Sequence, residues 1–383
     1  MIKAAIIGTG NICPSHIKGY LNFPERCRII ALCDIYPEKA QARIDEFSLD
    51  ARAYADYKEM LAKEKPDLVS ICLPPYVHAE IAVAAMEAGA NVVCEKPMAA
   101  SLAECDRMIE AEKRTGKVIC CVAQNRFRDD HMGLKKILDS GVLGRIVHAS
   151  VESNWWRGHS YYDLWWRGTW EKEGGGCTLN HAVHHIDLLL WMMGMPKRIT
   201  AVLSNASHDN SEVEDVSVAI AEYPGGALAQ LTSSVIAHGQ FQTVVMQGEK
   251  AMAAVPWRRY ASLPLPNGFP IENEELEKKL DEMHESFAPL PYTLHTAQID
   301  DALSAIEEGR APFITSADGR ATVEFITAVY ESGFTGRAVD LPLKKDDPFY
   351  TVEGMLKNVR HFYEKGASVE NFTDEGMENS FAK

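Results

Sequence analysis

No stretch of about 18 consecutive apolar residues occurs in the chain, so no membrane-crossing helix is expected. Clusters of lysine and arginine are also missing, and the formal net charge is −15. An acidic chain without basic runs argues against nucleic acid and anionic membranes as partners. It leaves room for a small anionic ligand held by local positive charge. There is no CxxC pair: nine cysteines fall between Cys13 and Cys177, several inside apparent buried strands (Cys33, Cys72, Cys94, Cys120, Cys121). That pattern excludes a disulfide framework and fits small-hydrophobe usage in a reducing, cytoplasmic setting. No internal repeat is visible. The apolar part of Met1–Gly8 is too short for a signal peptide and runs into a glycine motif, so it is expected to be a first strand.

What is present is 383 residues, 46% of them apolar, enough for about two globular domains. Strand candidates Ala4–Ile7, Arg28–Cys33, Asp67–Leu73, Asn91–Cys94 and Lys117–Ala123 alternate with helices near Ser15–Asn22, Pro37–Phe47, Asp56–Lys63, Val77–Ala88 and Ser101–Thr115. Short apolar strands alternating with helices indicate an α/β fold, a doubly wound parallel sheet of the Rossmann kind. After about Asn125 the strands lengthen and alternate: Arg145–Asn154, Arg198–Asn205, Val213–Tyr223, Gly226–Ile236 and Gln242–Gly248. Short turns between them predict an α+β domain with an open, mostly antiparallel sheet. Val255–Met283, rich in proline, reads as an exposed excursion and a surface helix. Helices are expected over Tyr292–Glu308, Ser316–Gly333 and Thr351–Lys365, then an acidic, disordered end. The expected division is 1–124, 125–343 and 344–383.

Gly8-Thr9-Gly10-Asn11-Ile12-Cys13 closes the first strand and opens a helix. Gly8 permits the tight turn, and Gly10 lets a pyrophosphate approach the backbone at a helix N-terminus. Cys13 stands where the fingerprint has its third glycine. Asp34 follows at the end of the second strand, about 20 residues further on, to accept from ribose hydroxyls. A carboxylate there repels a 2′-phosphate, and Ile35-Tyr36 supply no arginine, which favours NAD over NADP.

Glu95-Lys96-Pro97 ends another strand in the expected crevice. A lysine beside a nicotinamide can have a lowered pKa and join proton transfer, or it can be a solvated turn residue. A single helix is expected after Gly174-Gly175-Gly176, ending at Gly194 before Pro196. On it Asn180, His184 and Asp187 share one stripe, and His181, His185 and Leu188 the next. Asp187 is expected either to orient His184 or to make an interdomain hydrogen bond. His181 and His185, four apart, are spaced for metal, but no third ligand is evident and no metal is expected. Five of seven tryptophans fall in Asn154–Trp170. With Trp155, Trp156, Arg157, Tyr161, Trp166 and Arg167, this stretch suits stacking against sugar rings and binding a carboxylate or phosphate.

Gly8–Ile12, Glu95-Lys96-Pro97, Gly174–Gly194 and Asp318-Gly319-Arg320 together resemble the Gfo/Idh/MocA family of NAD(P)-dependent oxidoreductases, in order and over Met1 to about Leu343. The resemblance implies a Rossmann domain followed by a domain whose open sheet joins subunits, here as a homodimer or homotetramer. It implies that Lys96 positions or deprotonates a sugar hydroxyl, that the Lys96–Pro97 bond is cis, that Glu95 lies by the nicotinamide ribose, and that His184 is the acid/base. Many members have aspartate where this chain has Asn180, so Asn180 is expected to orient a hydroxyl while Lys96 and His184 share the proton work. Leu73, Pro74, His78, Gln124 and Arg167 are expected to complete the cofactor site, and Arg126 and His181 the substrate wall. The expected activity is NAD-dependent oxidation of a secondary ring hydroxyl in a sugar, cyclitol or glycoside. Rival readings are an NAD-dependent glycosidase working by oxidation, elimination and addition, a non-catalytic NAD/sugar sensor, and a metal enzyme built on the histidines.

Overall fold

The computed structural model describes residues 1–366 and 368–370. The acidic end of the chain, expected to be disordered, lies outside the described residues.

Strands β1 (Ile2–Ile7), β2 (Cys27–Cys33), β3 (Arg52–Tyr54), β4 (Leu68–Ile71), β5 (Asn91–Cys94) and β6 (Ile119–Cys121) form a parallel sheet in the order β3-β2-β1-β4-β5-β6. Helices α1 (Cys13–Leu21), α2 (Pro37–Glu46), α3 (Tyr57–Glu64), α4 (His78–Glu87) and α5 (Leu102–Thr115) connect or flank them. The strands are nearly continuous apolar runs because helices cover both faces of the sheet. Strand order reverses between β1 and β4, which opens a crevice at their carboxyl ends. In this sheet only β3 escaped the sequence reading: three residues, one of them an exposed arginine, give too little alternation to detect.

After α6 (Asp129–Asp139) come β7 (Ile146–Asn154), α7 (Cys177–Asn180), α8 (Val183–Met193), β8 (Arg198–Ser204), β9 (Val216–Glu222), β10 (Leu228–Ser234), β11 (Gln242–Gly248), β12 (Ala251–Val255), β13 (Arg258–Pro264), β14 (Pro270–Glu272), α9 (Glu274–Ser286), α10 (Leu294–Glu308), α11 (Ser316–Thr335), β15 (Val339–Asp340) and α12 (Val352–Asn358). The second sheet runs β14-β13-β12-β11-β7-β10-β9-β8-β15 and is antiparallel except where β7 meets β10. One face packs on α8 and α11. The other is open, with Val202, Val218, Ile220 and Leu228 exposed. α10 returns to the first sheet, where Ile299, Ala302 and Leu303 bury against Ile17 and Tyr20 of α1.

Three expectations need correction. The proline-rich excursion is a β-hairpin: Pro264 pairs with Pro270 at its tip end, around a turn through Asn267 and Gly268. Proline is tolerated on such an edge because no ladder N–H is lost. The C-terminal helix is shorter than Thr351–Lys365; Thr351 caps it, accepting from the Gly354 amide, and it ends at Asn358. The helix expected after Gly176 is two helices, as detailed below.

The glycine run leading into α7 is held by Glu214. Its carboxylate accepts from the Gly176 amide at 3.0 Å, the Thr178 amide at 2.9 Å and the Tyr330 hydroxyl at 3.0 Å. A Cβ on Gly176 would lie 1.9 Å from the Glu214 carbonyl oxygen, backbone against backbone. We therefore expect Gly176→Ala to destabilise the protein by about 3 kcal/mol through overpacking, measured as a fall in urea midpoint at unchanged slope.

Candidate active site

The turn after β1 is built as the sequence requires. Gly8 has φ +95°, and a Cβ there would sit 2.3 Å from the Cys72 carbonyl oxygen. Gly10 is different: a Cβ would meet nothing within 4 Å, so its open side faces the crevice. Cys13, in the third position, is fully buried and fills the helix–strand contact. Asp34 is fixed by the Thr9 amide and hydroxyl, both at 2.9 Å, and by the Tyr36 amide at 3.0 Å. The open Gly10 face, the N-terminus of α1 and a pinned carboxylate at the end of β2 fit the pyrophosphate and adenosine ribose of NAD. Leu73 and Pro74 follow β4 beside Gly8. His78 is fully buried, and its ring nitrogens face the carbonyls of Leu73 at 2.7 Å and Pro97 at 3.0 Å. It ties the β4 and β5 exits together instead of reaching a ligand.

Glu95 lies at the end of β5, buried between two histidines. His16 Nε2 stands 2.9 Å and His295 Nε2 3.3 Å from its Oε1. Burial pushes the carboxyl up, yet the two histidines outweigh it and hold Glu95 well below the usual carboxylate range. Ser70 and Tyr20 extend the network behind His16. The three donor atoms lie within 4.8 Å of one another, a set that could take a small cation. Sequence spacing gave no sign of this cluster, because His16 and His295 come from α1 and α10.

The Lys96–Pro97 peptide is cis. Lys96 Nζ donates to the Asn180 carbonyl at 3.2 Å, and Lys96 and His184 border one cavity of about 20 Å³ together with Asp187 and Thr322. Burial lowers the Lys96 ammonium, against the pull of Glu95. Burial and then the Lys96 charge hold the His184 imidazole well below its ordinary value. His184 Nδ1 is buried without a hydrogen-bond partner. The structure thus brings together, from β5 and α8, two side chains of the kinds used in general acid–base chemistry.

The break between α7 and α8 sets this geometry. The Cys177 carbonyl accepts from both His181 and Ala182, so the helical register slips by one residue. Such a bulge shifts the phase of everything after it. Asn180 therefore leaves the His184 stripe: its amide group donates to the Gly175 and Gly176 carbonyls at 3.0 and 3.4 Å. His185 turns away and pairs with Ser153 at 2.9 Å. His181 is 7% exposed, set between the rings of Trp155 and Tyr161.

Arg126, expected to reach a substrate, is instead a buried strut. It makes a two-point contact with Asp187 at 2.8 Å and reaches Asp318 at 3.2 Å. Asp187 is accordingly taken up by Arg126, at the domain junction, and not by His184. Gln124 begins the turn after β6, with its Oε1 buried and unpartnered. In the aromatic segment Trp170 is core, edge-on to Tyr330, whereas Trp156 is 43% exposed. Arg167 stacks on Tyr161 and Trp166 at 4.2 and 4.3 Å and pairs with Glu173 at 3.2 Å. Burial pushes Glu173 up to about 7. Glu173 was not singled out in the sequence, although it directly precedes the three glycines.

Comparison with known proteins agrees with this construction. The profile of the oxidoreductase family with an NAD-binding Rossmann fold matches residues 2–124, and that of the GFO/IDH/MocA C-terminal domain matches residues 131–254. Inositol 2-dehydrogenase of Salmonella typhimurium is 28% identical over 267 residues, 67% of this chain and 74% of that one. D-glucoside 3-dehydrogenase of Escherichia coli is 29% identical over 195 residues, 51% of this chain and 55% of that one. The WlbA dehydrogenase of Bordetella pertussis, solved with NADH and UDP-GlcNAcA, superposes with a TM-score of 0.76 at 26% identity, covering 90% of this chain and 99% of that one. Two matched segments running from Ile2 to Ala254 leave one reading of its ancestry: the chain belongs to the GFO/IDH/MocA family of NAD-binding oxidoreductases.

Proposed function

We propose that this oxidoreductase oxidises a secondary ring hydroxyl of a sugar, cyclitol or glycoside, taking hydride from the carbon that bears it. The observation that carries the reading is the placement of Lys96 and His184 together at the carboxyl end of β5, where both border one small cavity. The names of its relatives, an inositol 2-dehydrogenase and a D-glucoside 3-dehydrogenase, support the substrate class.

Gly8, Thr9, Gly10, Asn11 and Ile12 would hold the pyrophosphate, Asp34 the adenosine ribose, and Leu73 and Pro74 the cleft wall. NAD, when bound, supplies the hydride acceptor. His184 takes the hydroxyl proton as the carbon loses hydride. Burial keeps its imidazole in the neutral, base form. Lys96, fixed to the Asn180 carbonyl, donates a hydrogen bond to the reacting oxygen and stabilises its developing negative charge. Asn180 contributes through its backbone, while its side chain holds the glycine run. Trp155, Trp156, Tyr161 and Trp166 provide ring surfaces for the sugar. The open outer face of the second sheet supports assembly into a homodimer or homotetramer.

Four outcomes are expected. His184→Ala lowers kcat by roughly 10²- to 10⁴-fold; near-wild-type turnover on the true substrate would remove His184 as the base. Since His184 is held below its ordinary pKa, it stays neutral and competent below pH 6.5, so the acid limb of a kcat/KM profile should lie under that value. Asp34→Ala weakens NAD roughly tenfold or more and narrows its advantage over NADP in titration calorimetry; NADP binding tighter to the wild type would reject the role given to Asp34. Light scattering should find a dimer or tetramer that Val202→Asp with Ile220→Lys shifts toward monomer.

A further inference from the structure

Positive charge around the sugar-facing wall exceeds what the wall's own acids neutralise. Arg167 is answered by Glu173, and Lys96 lies beside Glu95, itself occupied by His16 and His295. Arg157 differs from both. Its guanidinium lies over the rings of Trp155 and Tyr161 at 5.7 and 5.4 Å. Its Nη1 donates to the Trp156 carbonyl at 2.7 Å and the Gln240 side-chain oxygen at 3.1 Å. Among the described residues no carboxylate stands within ion-pair distance of it. Next to it, between the same two rings, is His181, more than nine-tenths buried, with an Nδ1 that has no partner.

An arginine held over aromatic rings can grip a carboxylate by two parallel hydrogen bonds from its planar fork. The adjacent unpartnered imidazole nitrogen offers a further bond to the same group. Three residues along the chain, past the slip at Ala182, His184 borders the cavity of Lys96. We propose that the substrate is a sugar acid, with its carboxylate held by Arg157 and His181 while the ring hydroxyl to be oxidised lies by Lys96 and His184. This rests on the reading of Lys96 and His184 as the reacting end. A group built to bind a charged substituent discriminates strongly against substrates that lack it.

The test uses the full chain with NAD and three probes that share a ring: D-glucose, D-glucuronate and D-glucose 6-phosphate. NADH formation gives kcat/KM, and quenching of tryptophan fluorescence gives binding independent of turnover. Glucuronate is expected to exceed glucose by roughly tenfold or more in kcat/KM or affinity. Arg157→Gln should cut the glucuronate-to-glucose ratio by roughly tenfold, with Arg157→Lys intermediate because a lysine keeps the charge but loses the fork. NADH affinity and melting temperature report that each variant is folded. Equal use of glucose and glucuronate, or a ratio untouched in Arg157→Gln, overturns the proposal while leaving the dehydrogenase reading intact. Preference for glucose 6-phosphate over glucuronate overturns the carboxylate assignment. Arg157-dependent binding of glucuronate without any NADH formation upholds the acid site and rejects the reaction.

Discussion

The buried guanidinium of Arg126 is the joint on which the site's geometry depends. It stands just after the last strand of the parallel sheet, grips Asp187 on α8 and reaches Asp318 on α11. Burial raises the Asp187 carboxyl, and Arg126 offsets part of that rise. Removing one partner of such a pair costs about 3–5 kcal/mol, mostly because the other is left uncompensated. Asp187 is one helical turn after His184, so this contact also fixes the distance from His184 to Lys96 on the other sheet. Asp318 is followed by Gly319, where a Cβ would come within 2.6 Å of the Cys121 sulfur. The helix α11 can lie that close to β6 only with glycine at the contact. Arg320 continues the join, pairing with Asp106 of α5 and Tyr350.

A second constraint acts from the other side. Glu214 anchors the glycine run, and the slip at Ala182 then rotates α8 relative to α7. The result divides four polar residues of one segment among four tasks. Asn180 braces the glycines, His181 meets the aromatic wall, His184 faces Lys96, and His185 packs against Ser153. A continuous helix would have placed Asn180 and His184 side by side. Loss of that stripe changes how this chain must support its histidine: burial and the neighbouring Lys96 charge keep the ring neutral, against the pull of Glu95.

Much of this was legible in the sequence because it rests on local rules. The glycine turn, the strand before it and Asp34 are a short-range pattern, and the two-sided burial of the strands leaves an apolar signature. Glu95-Lys96-Pro97 and the polar helix were visible for the same reason. What was missed depends on long-range packing. Arg126 reads as a plausible ligand residue until Asp187 and Asp318 come to it from 61 and 192 residues away. His16 and His295 are unremarkable alone and meet only because α10 returns to α1. The register slip after Cys177 is a choice between two hydrogen-bond partners, which composition cannot signal. The hairpin of β13 and β14 was hidden by prolines that are harmful inside a sheet and harmless at its edge.

The nine cysteines, first noted for what they do not form, have a further consequence. All nine are free and buried. Burial pushes the Cys13 and Cys33 thiols up to about 12 and Cys27 up to about 11, so almost no thiolate exists at neutral pH. Thiolate is the form that oxidants and alkylating reagents attack. The folded chain is thus chemically quiet despite its sulfur content. Because every one of these thiols lies between the first glycine turn and the start of α7, the rate at which each reacts is a direct reading of how often that half of the molecule opens.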